Sequence, residues 1–347
     1  MVDNLNSLPT PESPLNTRVL VTGYGGFLGA AICRQLISQG YCVRGLARGT
    51  YRHLEQLGVE TIRGSITDPK DVSAAMDRVD AVIHTAAIAG VWGPRATFES
   101  INISATENLL NEAKQRNVQA FVYTSSPSVT FDGTPQSGIN EDVPLPTRWL
   151  CDYPRTKAIA EQRVLASNTQ DYFHTCALRP HLIWGKGDPH LIPRVIARCK
   201  QGRLRRVGSG ENLIDTVHVE NAAYAHILAL QKMLEHDRSA SGKAYFITDA
   251  QPVGCWDWIC MILRCAKLDP PKKSISLASA YRIGAVLESL YRFAKVQTEP
   301  PMTRFVALQL GIDHYFDISA ANKFLGYSPR ENRDARIEEL AADLARC

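Results

Sequence analysis

Short apolar runs alternate with longer, polar-interrupted ones along the first half of the chain. Arg18-Val-Leu-Val-Thr22 is a β-branched run closed by glycines, which predicts a buried strand. Behind it Leu28, Ile32 and Leu36 recur at i, i+4 and i+8, so a helix with one apolar face follows. Gly40 stops that helix as a capping glycine does. Cys42–Ala47, Glu60–Arg63, Ala81–His84, Ala120–Thr124 and His174–Leu178 read as further strands. Helical patterns lie between them near Asp71–Asp77, Phe98–Arg116 and Tyr153–Ser167. Such alternation predicts a parallel sheet covered by helices on both faces.

After Pro180 the alternation fails. Gly185, Gly187, Pro189 and Pro193 mark a loop, a helix is expected over Arg194–Gln201, and Ala244–Thr248 reads as one more sheet strand. The last third is richer in helix and bulky apolar residues. It predicts a smaller mixed domain interleaved with the final strands of the large one. The boundaries read as a loose lead-in over 1–16, a large domain over 17–184 with a returning segment at about 213–249, and a smaller domain from 185–212 and 250–347.

With 347 residues, 45% hydrophobic and 21% charged, the chain can bury a large core and is not globally disordered. Its net charge of +4, from 39 Lys and Arg against 35 Asp and Glu, gives no ground for a nucleic-acid partner. No run of about 18 apolar residues suggests a membrane span. Residues 1–16 carry Pro9, Pro11 and Pro14 and lack a basic-then-apolar leader. The nine cysteines are scattered without a CxxC pair, which favours reduced thiols in a cytoplasmic protein over disulfides or a metal site.

Gly23, Gly26 and Gly29 form GxxGxxG between the first strand and the first helix. One glycine permits the tight turn, one lets the backbone approach a pyrophosphate, and one lets helix and sheet pack closely. The helix N-terminus offers N–H groups to the anion. The plainer reading is a glycine turn without a ligand. At the end of the second strand stands Arg48, and no acid occurs from Gly29 until Glu55. A carboxylate there would bind the ribose of NAD, whereas a guanidinium suits a 2′-phosphate. NADP(H) is therefore expected, with NAD(H) open if Arg48 is merely solvated.

Tyr153-Pro-Arg-Thr-Lys157 puts a phenol and an ammonium on one helical face. The cation lowers the phenol's pKa and readies it to exchange a proton with a carbonyl or alcohol oxygen. Thr124-Ser125-Ser126 ends a strand, where a hydroxyl can bond the reacting oxygen. Asn102, inside an expected helix, is either a further member of the site or a buried amide satisfied by backbone.

These features, with TGYGGFLG at 22–29, HTAA at 84–87, NISAT at 102–106, YTSSPSV at 123–129, YPRTK at 153–157, LRPHLIWGKGD at 178–188 and DTVHVENAAYAHILAL at 215–230, resemble the extended short-chain dehydrogenase/reductase family. The resemblance implies an α/β fold: a doubly wound parallel sheet (Rossmann) with a second, smaller mixed α/β substrate domain. It implies a catalytic set of Ser126, Tyr153 and Lys157, with Asn102 holding a relay water and Ser125 sharing the role of Ser126. Phe27 and Leu28 within the glycine turn, Ala86, Ala87 and Pro180 would contact the cofactor, as would Tyr153 and Lys157, the latter anchoring its ribose. Where the family carries Gly-Asp-Leu or Gly-Asp-Ile near the adenine, this chain has Gly64-Ser65-Ile66, so Ser65 and Ile66 stand at that contact. Ala105 replaces a frequent glycine.

Within the family the chain looks most like the 3β-hydroxysteroid dehydrogenase branch. GVWG at 90–93, AYRIGAVLE at 280–288 and EPPMTRF at 299–305 are especially similar to bacterial reductases of 2-alkyl-3-oxoalkanoic acids in long-chain olefin synthesis. The similarity implies a lipid-like substrate, a homodimer and association with other pathway enzymes. Rival readings are 3β-hydroxysteroid oxidation, sugar-nucleotide epimerisation or dehydration, and a cofactor-binding sensor or scaffold. Residues 277–297 are amphipathic, either a lid over a lipid-like substrate that touches a membrane surface or an ordinary core helix. Arg194, Arg198, Lys200, Arg203, Arg205 and Arg206 either attract an acidic substrate or are simply solvated. His84, His181 and His218 read as structural histidines.

Overall fold

The computed structural model describes residues 16–169, 171–235 and 237–345. The expected lead-in falls almost entirely on 1–15, outside the described residues. In chain order the first half runs β1 (Arg18–Thr22), α1 (Phe27–Ser38), β2 (Cys42–Ala47), α2 (Arg52–Glu55), β3 (Glu60–Arg63), α3 (Pro69–Ala75), β4 (Ala81–His84), α4 (Arg95–Phe98), α5 (Ala105–Gln115), β5 (Ala120–Thr124), β6 (Gln136–Ile139), α6 (Asp152–Ala166) and β7 (His174–Pro180). The second half runs β8 (Ile183–Trp184), α7 (Leu191–Lys200), β9 (Arg206–Val207), β10 (Leu213–Ile214), β11 (Val217–His218), α8 (Val219–Leu234), β12 (Ala244–Ile247), β13 (Val253–Gly254), α9 (Cys255–Cys265), β14 (Ser274–Ile275), α10 (Leu277–Phe293), α11 (Arg304–Gly311), β15 (His314–Phe316) and α12 (Arg333–Leu344).

Seven parallel strands form the main sheet in the order β12-β7-β5-β4-β1-β2-β3. Alternate residues of each central strand enter opposite cores. Val19, Val21, Ile83 and Val122 meet α1 and α8 on one face. Leu20, Val82, Phe121 and Tyr123 meet α3, α5 and α6 on the other. Burial on both faces is why these strands read as unbroken apolar runs. The strand order reverses between β1 and β4, so their C-terminal ends open a crevice, the usual ligand position in such sheets.

A second sheet, β13-β10-β15-β6, lies apart from the first. It takes β6 from between β5 and α6 and pairs it in parallel with β15, near the end of the chain. A third core gathers Trp184, Trp256, Trp258, Ile259, Ile262 and Leu263. Among the described residues no helix is long and apolar enough to cross a membrane.

Two elements depart from their sequence patterns. The helix expected over Phe98–Arg116 begins as α4, widens into a π-helical segment over Glu99–Ser104 and resumes as α5. Helix α10 forms as expected, but its buried face is Ala280, Gly284 and Glu288. Glu288 accepts hydrogen bonds from the Arg304 backbone N–H (2.7 Å) and from its guanidinium Nε (2.9 Å) and Nη2 (2.7 Å). The apolar residues Ile283, Val286, Leu290 and Phe293 are exposed instead.

Gly284 sits where a Cβ would lie 2.6 Å from the Thr303 carbonyl carbon and 2.7 Å from the Arg304 nitrogen. Gly284→Ala is expected to destabilise the protein by about 1–3 kcal/mol through overpacking. That outweighs the ~1 kcal/mol that alanine gains in helix propensity. Urea unfolding measures the difference, and a stabilised variant would mean that α10 does not press on α11.

Candidate active site

The glycine turn leaves β1 at Gly23, which has a left-handed φ of +70°. Its N–H donates to Leu46 O (2.9 Å), and Gly26 N–H donates back to Gly23 O (2.8 Å). A Cβ at Gly29 would stand 2.3 Å from Gly23 O, and one at Gly23 would stand 3.0 Å from the Ala86 backbone. Both positions therefore require glycine. Helix α1 starts immediately afterwards with Gly26 as its N-cap, no capping side chain and no acid in its first turn. The leading N–H groups of Phe27 and Leu28 are thus presented to an anion, as a dinucleotide pyrophosphate requires. The turn fits that group.

The flanks of the turn carry the other expected cofactor residues. Arg48 is exposed just beyond β2, with its carbonyl accepting from Arg63 Nε (3.3 Å). Ser65 bonds Thr67 Oγ1 through its hydroxyl (2.7 Å), and its N–H donates to Asp71 Oδ2 (2.8 Å). Ile66 is buried in the core beneath. Ala86 N–H donates to Thr22 Oγ1 (3.3 Å), Ala87 is exposed, and Pro180 is buried at the end of β7. Tyr51 was not anticipated: its ring covers Gly25 and Gly49 so closely that a Cβ at either would collide with it.

Tyr153 and Lys157 stand on successive turns of α6. Lys157 is only 3% exposed. Its Nζ donates to Thr124 O (2.5 Å) and lies 4.1 Å from the centre of the Tyr123 ring. Burial pulls its pKa down to about 7, opposed by the negative charge of Glu161 one turn further on. Against the expectation of a phenol lowered by the cation, burial pushes Tyr153 up, opposed by the Ser126 side chain. Ser126 also caps the short 3₁₀ turn Pro127–Thr130, and its Oγ lies 2.9 Å from Ser128 Oγ. Ser125 differs: its N–H donates to Leu178 O (2.6 Å), while its buried hydroxyl has no partner among the described residues. Of the two serines, the one whose side chain bears on the phenol's titration is Ser126.

Asn102 lies in the π-helical segment and is 1% exposed. Its Oδ1 accepts from Ile88 N–H (2.9 Å), and its Nδ2 donates to Ile88 O (3.2 Å) and Thr156 Oγ1 (3.1 Å). The amide clamps the loop after β4 to the residue preceding Lys157. Beneath it, His84 bridges Thr22 Oγ1 (2.7 Å) and Thr106 Oγ1 (2.9 Å). Burial, with a smaller push from Lys157, lowers its pKa to about 3. His226 lies 2.8 Å from Thr124 Oγ1 and 2.7 Å from Ala222 O, and burial lowers it to about 4. Both imidazoles are neutral near pH 7, so neither adds positive charge beside Lys157.

Sequence reasoning missed Glu161 and Arg179. Glu161 follows Lys157 by four residues, a spacing that could have revealed it. Arg179 on β7 holds its carboxylate in a buried fork, Nε to Oε2 at 3.0 Å and Nη2 to Oε1 at 2.5 Å. His181 and His218, the other two histidines singled out from the sequence, have structural partners. His181 Nε2 lies 2.7 Å from His314 Nδ1, and His218 accepts from Glu220 N–H at the start of α8. In the basic cluster, Arg194 and Arg198 both pair with Glu299, leaving Arg203, Arg205 and Arg206 exposed.

Glu161→Gln removes the anion that raises Lys157. The titration midpoint of the Lys157 ammonium is expected to move to lower pH, followed by NMR of ¹⁵N-lysine-labelled protein. An unchanged midpoint would take Glu161 out of the electrostatics of the site.

The sequence profile of the 3-beta hydroxysteroid dehydrogenase/isomerase family matches residues 20–278. The 2-alkyl-3-oxoalkanoate reductase of Shewanella oneidensis is 45% identical, over 94% of this chain and 86% of its own length. The reductase of the same name from Stenotrophomonas maltophilia is 42% identical, over 94% of this chain and 99% of its own. Among solved structures, MoeE5 in complex with UDP-glucose and NAD shares the fold with a TM-score of 0.72 at 24% identity, covering 95% of this chain and 99% of that one.

Proposed function

The chain belongs to the 3-beta hydroxysteroid dehydrogenase/isomerase family of nicotinamide-dependent oxidoreductases, and we propose that it reduces the 3-oxo group of a long-chain 2-alkyl-3-oxoalkanoic acid to the 3-hydroxy acid. The substrate class rests on the two reductases that are similar to nearly the whole chain. The chemistry rests on one observation: Lys157, Tyr153 and Ser126 converge at the end of β5, beside a glycine turn fit for a dinucleotide.

In this mechanism Gly23, Gly26, Gly29 and the first N–H groups of α1 would hold the pyrophosphate, with Ala86 and Ala87 along the cofactor and Pro180 at its nicotinamide end. When bound, the reduced cofactor supplies a hydride to the carbonyl carbon. The Tyr153 hydroxyl gives its proton to the carbonyl oxygen as the C=O π-bond breaks, so one hydride and one proton yield the alcohol. Ser126 donates a hydrogen bond to that oxygen. Lys157 stabilises the phenolate left behind, and Asn102 keeps the Lys157 turn in place through Thr156.

Arg48 supports NADP(H) as the preferred cofactor, since it stands where a 2′-phosphate would need a cation. The proposed division of labour gives the cofactor to 17–184 with 213–249, and the substrate to 185–212 and 250–347. A cytoplasmic homodimer that associates with enzymes of the same pathway completes the reading; light scattering and co-purification test it. The family name favours 3β-hydroxysteroid oxidation as a second reading, separated by assays with a sterol and with a β-keto acid.

Tyr153→Phe is expected to lower turnover of NADPH with a 2-alkyl-3-oxoalkanoate by ~10²–10⁴-fold, the usual share of a general acid. NADPH binding should survive, and normal turnover would assign the proton to another group. A pH effect has a definite sign. Lys157 is cationic below about 7 and neutral above it in the free protein, so kcat/KM for reduction should fall as pH rises through that value. A profile rising there would exclude the ammonium as the stabilising charge. Arg48→Ala should weaken NADPH binding and spare NADH, and equal losses would remove the 2′-phosphate contact.

A further inference from the structure

Helix α10 turns its greasy side away from the protein. Ile283, Val286, Leu290 and Phe293 fall at i, i+3, i+7 and i+10, within about a quarter of the helix circumference. They are 46%, 59%, 57% and 91% exposed, and Val296 just beyond the helix is exposed as well. The opposite side of the helix is already committed to α11 through Gly284 and the Glu288–Arg304 pair. A contiguous exposed stripe of this kind marks an interaction surface.

The charges around the stripe say what it meets. Residues 270–298 hold five cations, Lys272, Lys273, Arg282, Arg292 and Lys295, all exposed. Among the described residues none of the five forms a salt bridge. Glu288 is the only acid in that stretch, and it is buried against Arg304. The exposed charges of this stretch are therefore all cationic, which together with the apolar stripe is the composition of a helix that lies in the interface of an anionic bilayer.

The helix also adjoins the proposed cleft. Trp92, from the loop that follows β4, donates its indole N–H to Val296 O (3.0 Å) and packs edge-on against Tyr291. Arg292 lies over the Trp92 ring (5.6 Å). The C-terminal end of α10 is thereby fastened to a loop that starts at the C-terminal edge of the main sheet.

We propose that the exposed face of α10 is a docking surface for an anionic lipid bilayer, with Phe293, Leu290, Val286 and Ile283 inserted and Arg282 and Lys295 against the headgroups. Its value to the enzyme rests on the reading above, since a long-chain keto acid partitions into lipid and would reach the cleft without crossing water.

The test is flotation of the full chain, without cofactor or substrate, on phosphatidylcholine vesicles with and without phosphatidylglycerol. The protein should float with the anionic vesicles and stay behind with the neutral ones, and 0.5 M NaCl should weaken the binding. Leu290→Ser with Phe293→Ser, and separately Arg282→Gln with Lys295→Gln, should each lower the bound fraction at least about tenfold. Circular dichroism should show both variants folded. No flotation, equal flotation on both lipids, or flotation unchanged by either variant would overturn the proposal. So would a dimer, seen by light scattering, that the same substitutions dissolve, because a second copy would then cover the stripe. The keto-acid assay is read separately: vesicle binding without reductase activity would defeat the proposed reaction and leave the lipid surface standing.

Discussion

A lysine ammonium taken out of water must be held by neighbours, and the site is organised around that requirement. Lys157 has the Thr124 carbonyl and the face of Tyr123 as direct partners, with Glu161 a turn away. Each comes from a different level of the structure. Thr124 ends a central strand, Tyr123 precedes it, and Glu161 rides on the same helix as Lys157. The position of the ammonium therefore reports the docking of α6 on the sheet. The desolvation penalty is not fully offset, which is why the group titrates near neutrality instead of near its usual 10.5.

Around that ammonium the protein has stripped away competing positive charge. Burial keeps His84 and His226 neutral, with Lys157 adding to the effect at His84 and the Ala222 carbonyl opposing it at His226. Arg179 is neutralised by the same Glu161 that steadies Lys157. Two buried cations thus share one carboxylate, and a change at Glu161 is felt both at the Lys157 ammonium and in the packing between α6 and β7. The Asn102 clamp adds a mechanical tie from the loop after β4 to the turn holding Lys157.

Much of this was legible in the sequence, for reasons that also explain the misses. Strands such as β1, β4 and β5 are buried on both sides, so their apolar runs carry their own boundaries. The glycine turn and the Tyr153–Lys157 spacing are local, and local patterns survive translation into structure. β6 was not legible: Gln136-Ser-Gly-Ile139 is short, Gly138 is left-handed, and its partner lies near the far end of the chain. The π-helical widening at Glu99–Ser104 coincides with Asn102's tertiary bonds, which no periodicity encodes. Helix α10 shows the sharpest limit. Its pattern identified an apolar face correctly but could not say that Thr303 and Arg304 would claim the other side.

The pairing of β6 with β15 has a consequence for birth on the ribosome. Ser137 and Asp313, which join the two strands through a side-chain hydrogen bond, are 176 positions apart. At ordinary elongation rates the earlier strand waits roughly 10–35 s for its mate to be synthesised. Throughout that interval its edge is open to solvent and to other nascent chains, so the small sheet closes only once β15 has been made, while the strands of the main sheet, all made earlier, can already be assembled. A chaperone that shields this polypeptide during synthesis would have its longest task at Gln136–Ile139.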